Sequence, residues 1–212
     1  IRIPKSVEEA KKLDEQNGDT LWWDSICKEM KNVRIAFEIF EGSEAEIPPG
    51  YQKVNCHMIF DVKMGENFRR KARMVAGGHT TEAPATLTYS SDVSRDSVRT
   101  ALTIAALNDL KILACDIQNA YLTAQCREKI WTVVGPEFGS DRGKIMLVVR
   151  ALYGLKSSGA AFRALLAETL QELGYKPTKA DPDVWIRPAT KANGFKYYEY
   201  ILCYVDDVLS IS

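Results

Sequence analysis

The closing stretch "YILCYVDDVLSIS", residues 200–212, decides how the rest of the chain is read. "YILCYV" and "VLSIS" are both strand-like, and the two residues between them, Asp206 and Asp207, are the right length for a tight hairpin. Aspartate favours turns, so a plain turn explains the pair cheaply. The flanks are strongly apolar, however, which calls for burial on at least one face, and adjacent carboxylates there repel unless something positive lies between them. A third carboxylate from a neighbouring strand would turn the pair into a site for a hard, oxygen-seeking divalent ion such as Mg²⁺.

A candidate for that third group lies upstream in "KILACDIQNAYL", residues 111–122, where Asp116 follows a short apolar run that reads as a buried strand. An isolated ionised carboxylate is costly to desolvate, so Asp116 either sits at the strand's exposed end or has a cation. Around it the chain alternates element types. Ser6 followed by Glu9 has capping-box spacing, and Asn17-Gly18 is a stop. A second helix is expected over about 20–32, with Leu21, Trp22, Ile26 and Met30 near one face. "EGSEAEIPPGYQ" (41–52) reads as an acidic loop. "VNCHMIFDVK" (54–63) and "FRRKARMVAGG" (68–78) flank the turn "MGEN" (64–67) as a β-hairpin with basic residues near its tip.

Ser94 opens a helix with Val98, Leu102 and Ala105 at helical spacing. Strand-like runs follow at 129–134 and 144–149. Ser157 or Ser158 then caps a helix whose Phe162, Leu165, Leu166, Leu170 and Leu173 share a face, and Gly174 ends it. "DVWIRP" (183–188) reads as one more strand before the closing hairpin. This mixed order predicts an α+β layer with helices on one face of a sheet, not a doubly wound parallel fold.

Bulk properties narrow the function classes. With 212 residues, 46% hydrophobic and 26% charged, the chain is expected to be a soluble globular protein of one large or two small domains. No run approaches the roughly 20 apolar residues of a membrane span, and "IRIPKSVEEA" lacks the apolar core of a signal peptide. Five widely spaced cysteines without a C-x-x-C pair predict reduced thiols in an intracellular setting and no zinc module. Net charge is zero, but residues 1–50 hold 7 basic and 11 acidic side chains, a balance of −4 that leaves +4 for residues 51–212. "KMGENFRRKAR" (63–73) carries five basic residues against one acidic, which is either a nucleic-acid patch or a solvated face.

Taken together, "CDIQNAYL", "VVRALYGLKSSGAAF" and "YVDD", in this order and at these distances, resemble the successive motifs of the copia-type retrotransposon reverse transcriptases. "RRKARMVAGGH" resembles that family's fingers hairpin and "LWWDSICKEMKNV" its N-terminal helix, so the resemblance covers nearly the whole chain. It implies a right-hand polymerase arrangement: an α+β fold with fingers at 1–92 and 124–152, and palm at 93–123 and 153–212, the palm a mixed or antiparallel sheet backed by helices. Thumb, connection and RNase H regions are expected after residue 212. Asp116 matches the first metal-binding aspartate of the palm, and Asp206 and Asp207 match the pair of the catalytic hairpin, together holding two Mg²⁺ ions for which Mn²⁺ can substitute.

By the same resemblance Tyr121 is the aromatic steric gate that favours dNTP over rNTP, though alone it would read as a packing aromatic. Gly154 and Lys156 match the turn opening the helix that lines the nucleotide and template pocket, where a glycine lets backbone approach substrate. Lys71 and Arg73 match the basic residues that meet the triphosphate; two apart on a strand, they can share a face. The implied partners are an RNA or DNA template with its primer, dNTP, and the integrase, thumb and RNase H regions of the same polyprotein, in a cytoplasmic virus-like particle and with no membrane. The chain departs from the family's usual pattern at "VAGGH", at "GAAF" (159–162) where Pro-Arg-Ala-Trp is usual, and at Gln118 and Tyr121 where Lys and Phe are usual. None of these departures removes a carboxylate. The alternative function is a non-catalytic remnant that keeps the fold and at most binds nucleic acid through residues 63–73.

Overall fold

The computed structural model describes residues 1–65, 67–82, 88 and 90–212. The expected turn at 64–67 includes Glu66, which lies outside the described residues. Helices α1 (Val7–Asn17) and α2 (Leu21–Val33) lead into strands β1 (Phe37–Ile39), β2 (Gln52–Lys53), β3 (Cys56–Lys63) and β4 (Arg69–Ala76). Helix α3 (Arg95–Leu107), strand β5 (Ile112–Asp116) and the short helix α4 (Ala120–Thr123) follow, then β6 (Ile130–Val133) and β7 (Ile145–Val148). The chain closes with α5 (Ser158–Glu172), β8 (Lys176–Pro177), β9 (Val184–Thr190), β10 (Lys196–Tyr204) and β11 (Asp207–Ile211). These elements make an α+β protein of two compact units, each built from two chain segments: Ile1–Thr88 with Tyr121–Ala161, and Tyr89–Ala120 with Phe162–Ser212.

In the first unit, Ser6 caps α1 by accepting from the Glu9 N–H at 3.1 Å, and Gly18 ends it in the left-handed region at φ 70°. The buried Asp14 then caps the next helix, accepting from the N–H groups of Trp22 (3.1 Å) and Trp23 (2.8 Å). Trp22, Ile26, Met30 and Val33 form the inward stripe of α2, packed in one core with Met58, Met74, Ile130 and Met146. Leu21, expected on that stripe, is 46% exposed, because it stands about 100° around the helix from Trp22. The four-stranded sheet runs β1-β7-β6-β2, antiparallel except for the β2–β6 pair.

β3 and β4 make a separate antiparallel hairpin whose inner face is Cys56, Met58, Ala72, Met74 and Ala76. The free edge of β4 is covered by α2. The Ala72 N–H donates to Ser25 Oγ (2.7 Å) and the Met74 N–H to Glu29 Oε1 (2.9 Å), two acceptors one helical turn apart.

Burial pushes the Glu29 carboxyl above its ordinary value of 4.5, against the Met74 N–H and the charges of Arg73 and Lys71. A carboxylate raised in the folded state costs stability in full above its folded pKa, and that cost disappears as pH falls below the unfolded value. Glu29→Gln keeps the acceptor and removes the charge. Its thermal midpoint is therefore expected to exceed the parent's at neutral pH and to converge with it below about pH 4.5. Melting curves that run parallel from pH 4 to 7 would contradict this.

The second unit is a five-stranded sheet, β5-β11-β10-β9-β8, antiparallel throughout. Helices lie on both of its faces, where the sequence predicted one. Val98, Ala101 and Ala105 of α3 pack with Val184, Leu202 and Ile211, whereas Leu166 and Leu170 of α5 pack with Trp185 and Cys203. Consecutive strand residues face opposite ways, so Leu202 and Cys203 look to different helices. The unbroken apolar run "YILCYV" is the signature of such double burial. On α3 the inward residue is Ala101, with Leu102 38% exposed, and the small side chain lets the helix sit close to the sheet.

Candidate active site

Asp116 ends β5 and Asp207 begins β11, and these antiparallel strands place the two residues directly opposite each other in register. Directly opposed residues point to the same face of a sheet, so the carboxylates of Asp116 and Asp207, 91 positions apart in sequence, come to one spot on it. The Ile117 N–H donates to the Asp206 carbonyl at 2.8 Å and locks the turn against the end of β5. Each of the three expected carboxylates thus lies in the second unit.

Two details differ from the sequence reading. The turn consists of Val205 and Asp206, not Asp206 and Asp207, because Tyr204 pairs with Asp207 as the last rung of the hairpin. Val205 takes φ 52°, a left-handed value that costs a β-branched residue about 1–3 kcal/mol. Pairing on both sides of the turn holds it there. Nor is β5 buried: all five of its residues, Asp116 among them, are exposed, since it is the edge strand. Asp116 therefore sits at a strand's exposed end, and its proximity to Asp207, not desolvation, is what invites a cation.

The carboxylates open onto a cavity of about 430 Å³ within this unit, walled by Val98, Ala114, Leu202 and Leu209 and reached also by Tyr204. Among the described residues no three His, Cys, Asp or Glu side chains converge as a ready-made metal cage. The Asp116–Asp207 pair nevertheless fits Mg²⁺, which typically takes one or two protein carboxylates and completes its shell with water and substrate phosphate.

The other five expected residues belong to the first unit. Lys71 and Arg73 share the outer face of the hairpin with Arg69 and with Lys63, which pairs with Arg69 in register. Desolvation and the charges of Arg73, Lys63 and Arg69 push the Lys71 ammonium below its usual pKa, the electrostatic mark of a crowded basic strip. The Arg73 guanidinium lies 4.0 Å over the ring of Tyr153, and that ring lies 4.7 Å from the ring of Tyr121 at an angle of 45°.

The turn carrying Gly154 and Lys156 is fastened on several sides. The Ala76 N–H donates to the Tyr153 carbonyl at 2.8 Å. The Lys156 ammonium donates to the Thr81 carbonyl, and Ser158 Oγ donates to the Leu152 carbonyl at 2.6 Å. Glu128 Oε1 accepts from both the N–H (2.8 Å) and the hydroxyl (2.7 Å) of Ser157. The close approach that Gly154 makes here is to β4, at Ala76 and Val75. These bonds tie the turn into the first unit, whose second segment runs from Tyr121 to Ala161. Tyr153 and Glu128 were missed by sequence reasoning; the one signal for the first is its place inside "ALYGLK", and nothing in "REKIW" marks the second.

The family model described as reverse transcriptase (RNA-dependent DNA polymerase) matches residues 44–212. The chain belongs to the reverse transcriptase family. Its curated relatives include the retrovirus-related Pol polyprotein from transposon TNT 1-94 of Nicotiana tabacum, 28% identical over 174 residues, which cover 78% of this chain and 13% of that protein. The corresponding polyproteins of transposons RE1 and RE2 of Arabidopsis thaliana are 29% and 28% identical, covering 76% of this chain and 11% of each relative. The chain thus spans 11–13% of the length of these polyproteins. The resemblance to retrotransposon reverse transcriptases read from its motifs is borne out.

Proposed function

We propose that this chain is the polymerizing part of a copia-type retrotransposon polyprotein, with fingers at 1–92 and 124–152 and palm at 93–123 and 153–212, extending a primer 3′-hydroxyl with dNTPs on an RNA or DNA template and releasing pyrophosphate. The observation that carries the reading is the opposition of Asp116 and Asp207 at the head of the closing hairpin, with Asp206 in the turn beside them. Asp116 and Asp207, with Asp206 beside them in the turn, would hold two Mg²⁺ ions, or Mn²⁺ in their place, which when bound would activate the attacking hydroxyl and neutralise charge on the leaving phosphate.

The chain's own residues bind and orient. Lys71 and Arg73, on one face of β4, meet the triphosphate as part of a positive strip. Tyr121 lies beneath the incoming sugar and excludes a 2′-hydroxyl, while Gly154 and Lys156 form the turn bordering the nucleotide. The duplex itself is held largely through its phosphates, which is the task of the thumb elsewhere in the polyprotein.

The test is primer extension on an RNA template by the polyprotein's whole polymerase region containing residues 1–212. Template-dependent dNTP incorporation with Mg²⁺ or Mn²⁺ is expected; no incorporation with either would leave only a remnant that keeps the fold. Tyr121→Ala is further expected to raise rNTP relative to dNTP incorporation. Unchanged discrimination would reduce the ring to packing.

A further inference from the structure

The aromatic contact between Tyr121 and Tyr153 has a use that the residue-by-residue reading of the nucleotide site leaves unassigned. We infer that Tyr153 is a positioning residue for sugar discrimination, acting through Tyr121 by fixing the plane and depth of its ring; the inference rests on the gate reading of Tyr121.

The Tyr153 carbonyl is held by the Ala76 N–H at 2.8 Å. The next residue, Gly154, is at φ 93°, and a Cβ there would lie 2.0 Å from the Ala76 carbonyl oxygen. The Tyr153 side chain therefore leaves a backbone pinned to the end of β4. A tyrosine has only two side-chain torsions, and once its Cα is fixed little freedom remains.

Tyr121, by contrast, rides on the single-turn helix α4, too short to hold a side chain rigidly by itself. Its ring lies 4.7 Å from that of Tyr153 at 45°, within the range of favourable tilted aromatic pairs. Tyr153 is in turn steadied by the Arg73 guanidinium, 4.0 Å from its ring centroid. Arg73 sits on the same strand as Ala76, so β4 fixes Tyr153 twice, through the backbone and through the ring. A gate discriminates against a 2′-hydroxyl only if it cannot retreat when the larger sugar arrives. The ring of Tyr153 is what denies Tyr121 that retreat.

The experiment compares kcat/KM for a dNTP and its rNTP on one primed template, using the polymerase region with Tyr153→Leu, Tyr153→Phe, Tyr121→Ala and the double substitution Tyr121→Ala with Tyr153→Leu. A purely structural role would lower both rates together and leave their ratio alone. Tyr153→Leu is expected to lower the dNTP preference about three- to tenfold, with Tyr153→Phe within about twofold of the parent because the ring and not the hydroxyl makes the contact. The double variant is expected to discriminate no worse than Tyr121→Ala alone. If Tyr121→Ala relaxes discrimination and Tyr153→Leu does not, the inference is overturned and the gate stands. If Tyr121→Ala itself changes nothing, the gate falls and this inference with it. Independent, additive losses in the double variant would also overturn it, since Tyr153 would then act on the sugar without Tyr121.

Discussion

Asp207→Asn is expected to reduce primer extension by about two to three orders of magnitude, the usual cost of removing a preorganised electrostatic group from a reacting centre, while leaving the thermal midpoint at or above the parent's. The two halves of this expectation have one cause. Asp207 faces Asp116 directly across β5 and β11, and like charges directly opposite each other on a sheet are destabilising unless a cation lies between them. An amide keeps the shape and the strand pairing but relieves the repulsion. Fold and chemistry should therefore move in opposite directions, as they do where stability is given up for a site. Divalent cation should raise the melting temperature of the parent more than that of the variant. Parental extension by Asp207→Asn, or a variant that unfolds cooperatively at a lower temperature with or without metal, would contradict the pairing.

Gly154→Ala is expected to carry the largest stability loss of any single methyl addition in the first unit. The residue stands at φ 93°, and the new Cβ would lie 2.0 Å from the Ala76 carbonyl oxygen and 2.8 Å from Val75 Cγ1. The oxygen belongs to backbone already fixed in the β4 ladder and in its bond to Tyr153. A second close approach lies at the same turn, since a Cβ at Gly78 would lie 2.3 Å from the Gly154 carbonyl oxygen. Strain at positive φ and the steric overlap together suggest a loss of about 3 kcal/mol or more, or a fall of roughly 10 °C in melting temperature for a chain of this size. Gly143→Ala is the control: φ is 84°, yet nothing lies within 4 Å of its Cβ position. It should lose only the backbone part, about 1 kcal/mol. Equal losses from the two substitutions would mean that the approach of the 154 turn to β4 is not tight.

What the sequence disclosed and what it withheld follow the range of the forces involved. Ser6, Gly18 and Ser94 announce helix ends because capping is settled within four residues. The basic hairpin and α5 were legible for the same reason, their periodicity being local. The turn at Val205–Asp206 was placed one residue late, since aspartate is the ordinary turn former and no local rule selects a valine at φ 52°. The second helix layer was not legible: the apolar run "YILCYV" called for burial on at least one face, and the order of elements predicted helices on one, whereas α3 and α5 cover both. The exposure of β5 depends on its being the edge strand, which an apolar run cannot reveal. At the site itself, the motif residues were legible and their supports were not. Glu128 beneath Ser157, Tyr153 between Arg73 and Tyr121, and Ser25 with Glu29 along the edge of β4 all act across tens of residues.

The opposition of Asp116 and Asp207 is the feature on which the functional reading depends, and a double-mutant cycle measures it most directly. Single-nucleotide incorporation on a primed RNA template would be compared for the parent polymerase region, Asp116→Asn, Asp207→Asn and the variant carrying both. Two carboxylates that serve one centre give single losses of similar size and a double variant scarcely worse than either. Parental incorporation by either single variant would contradict the account.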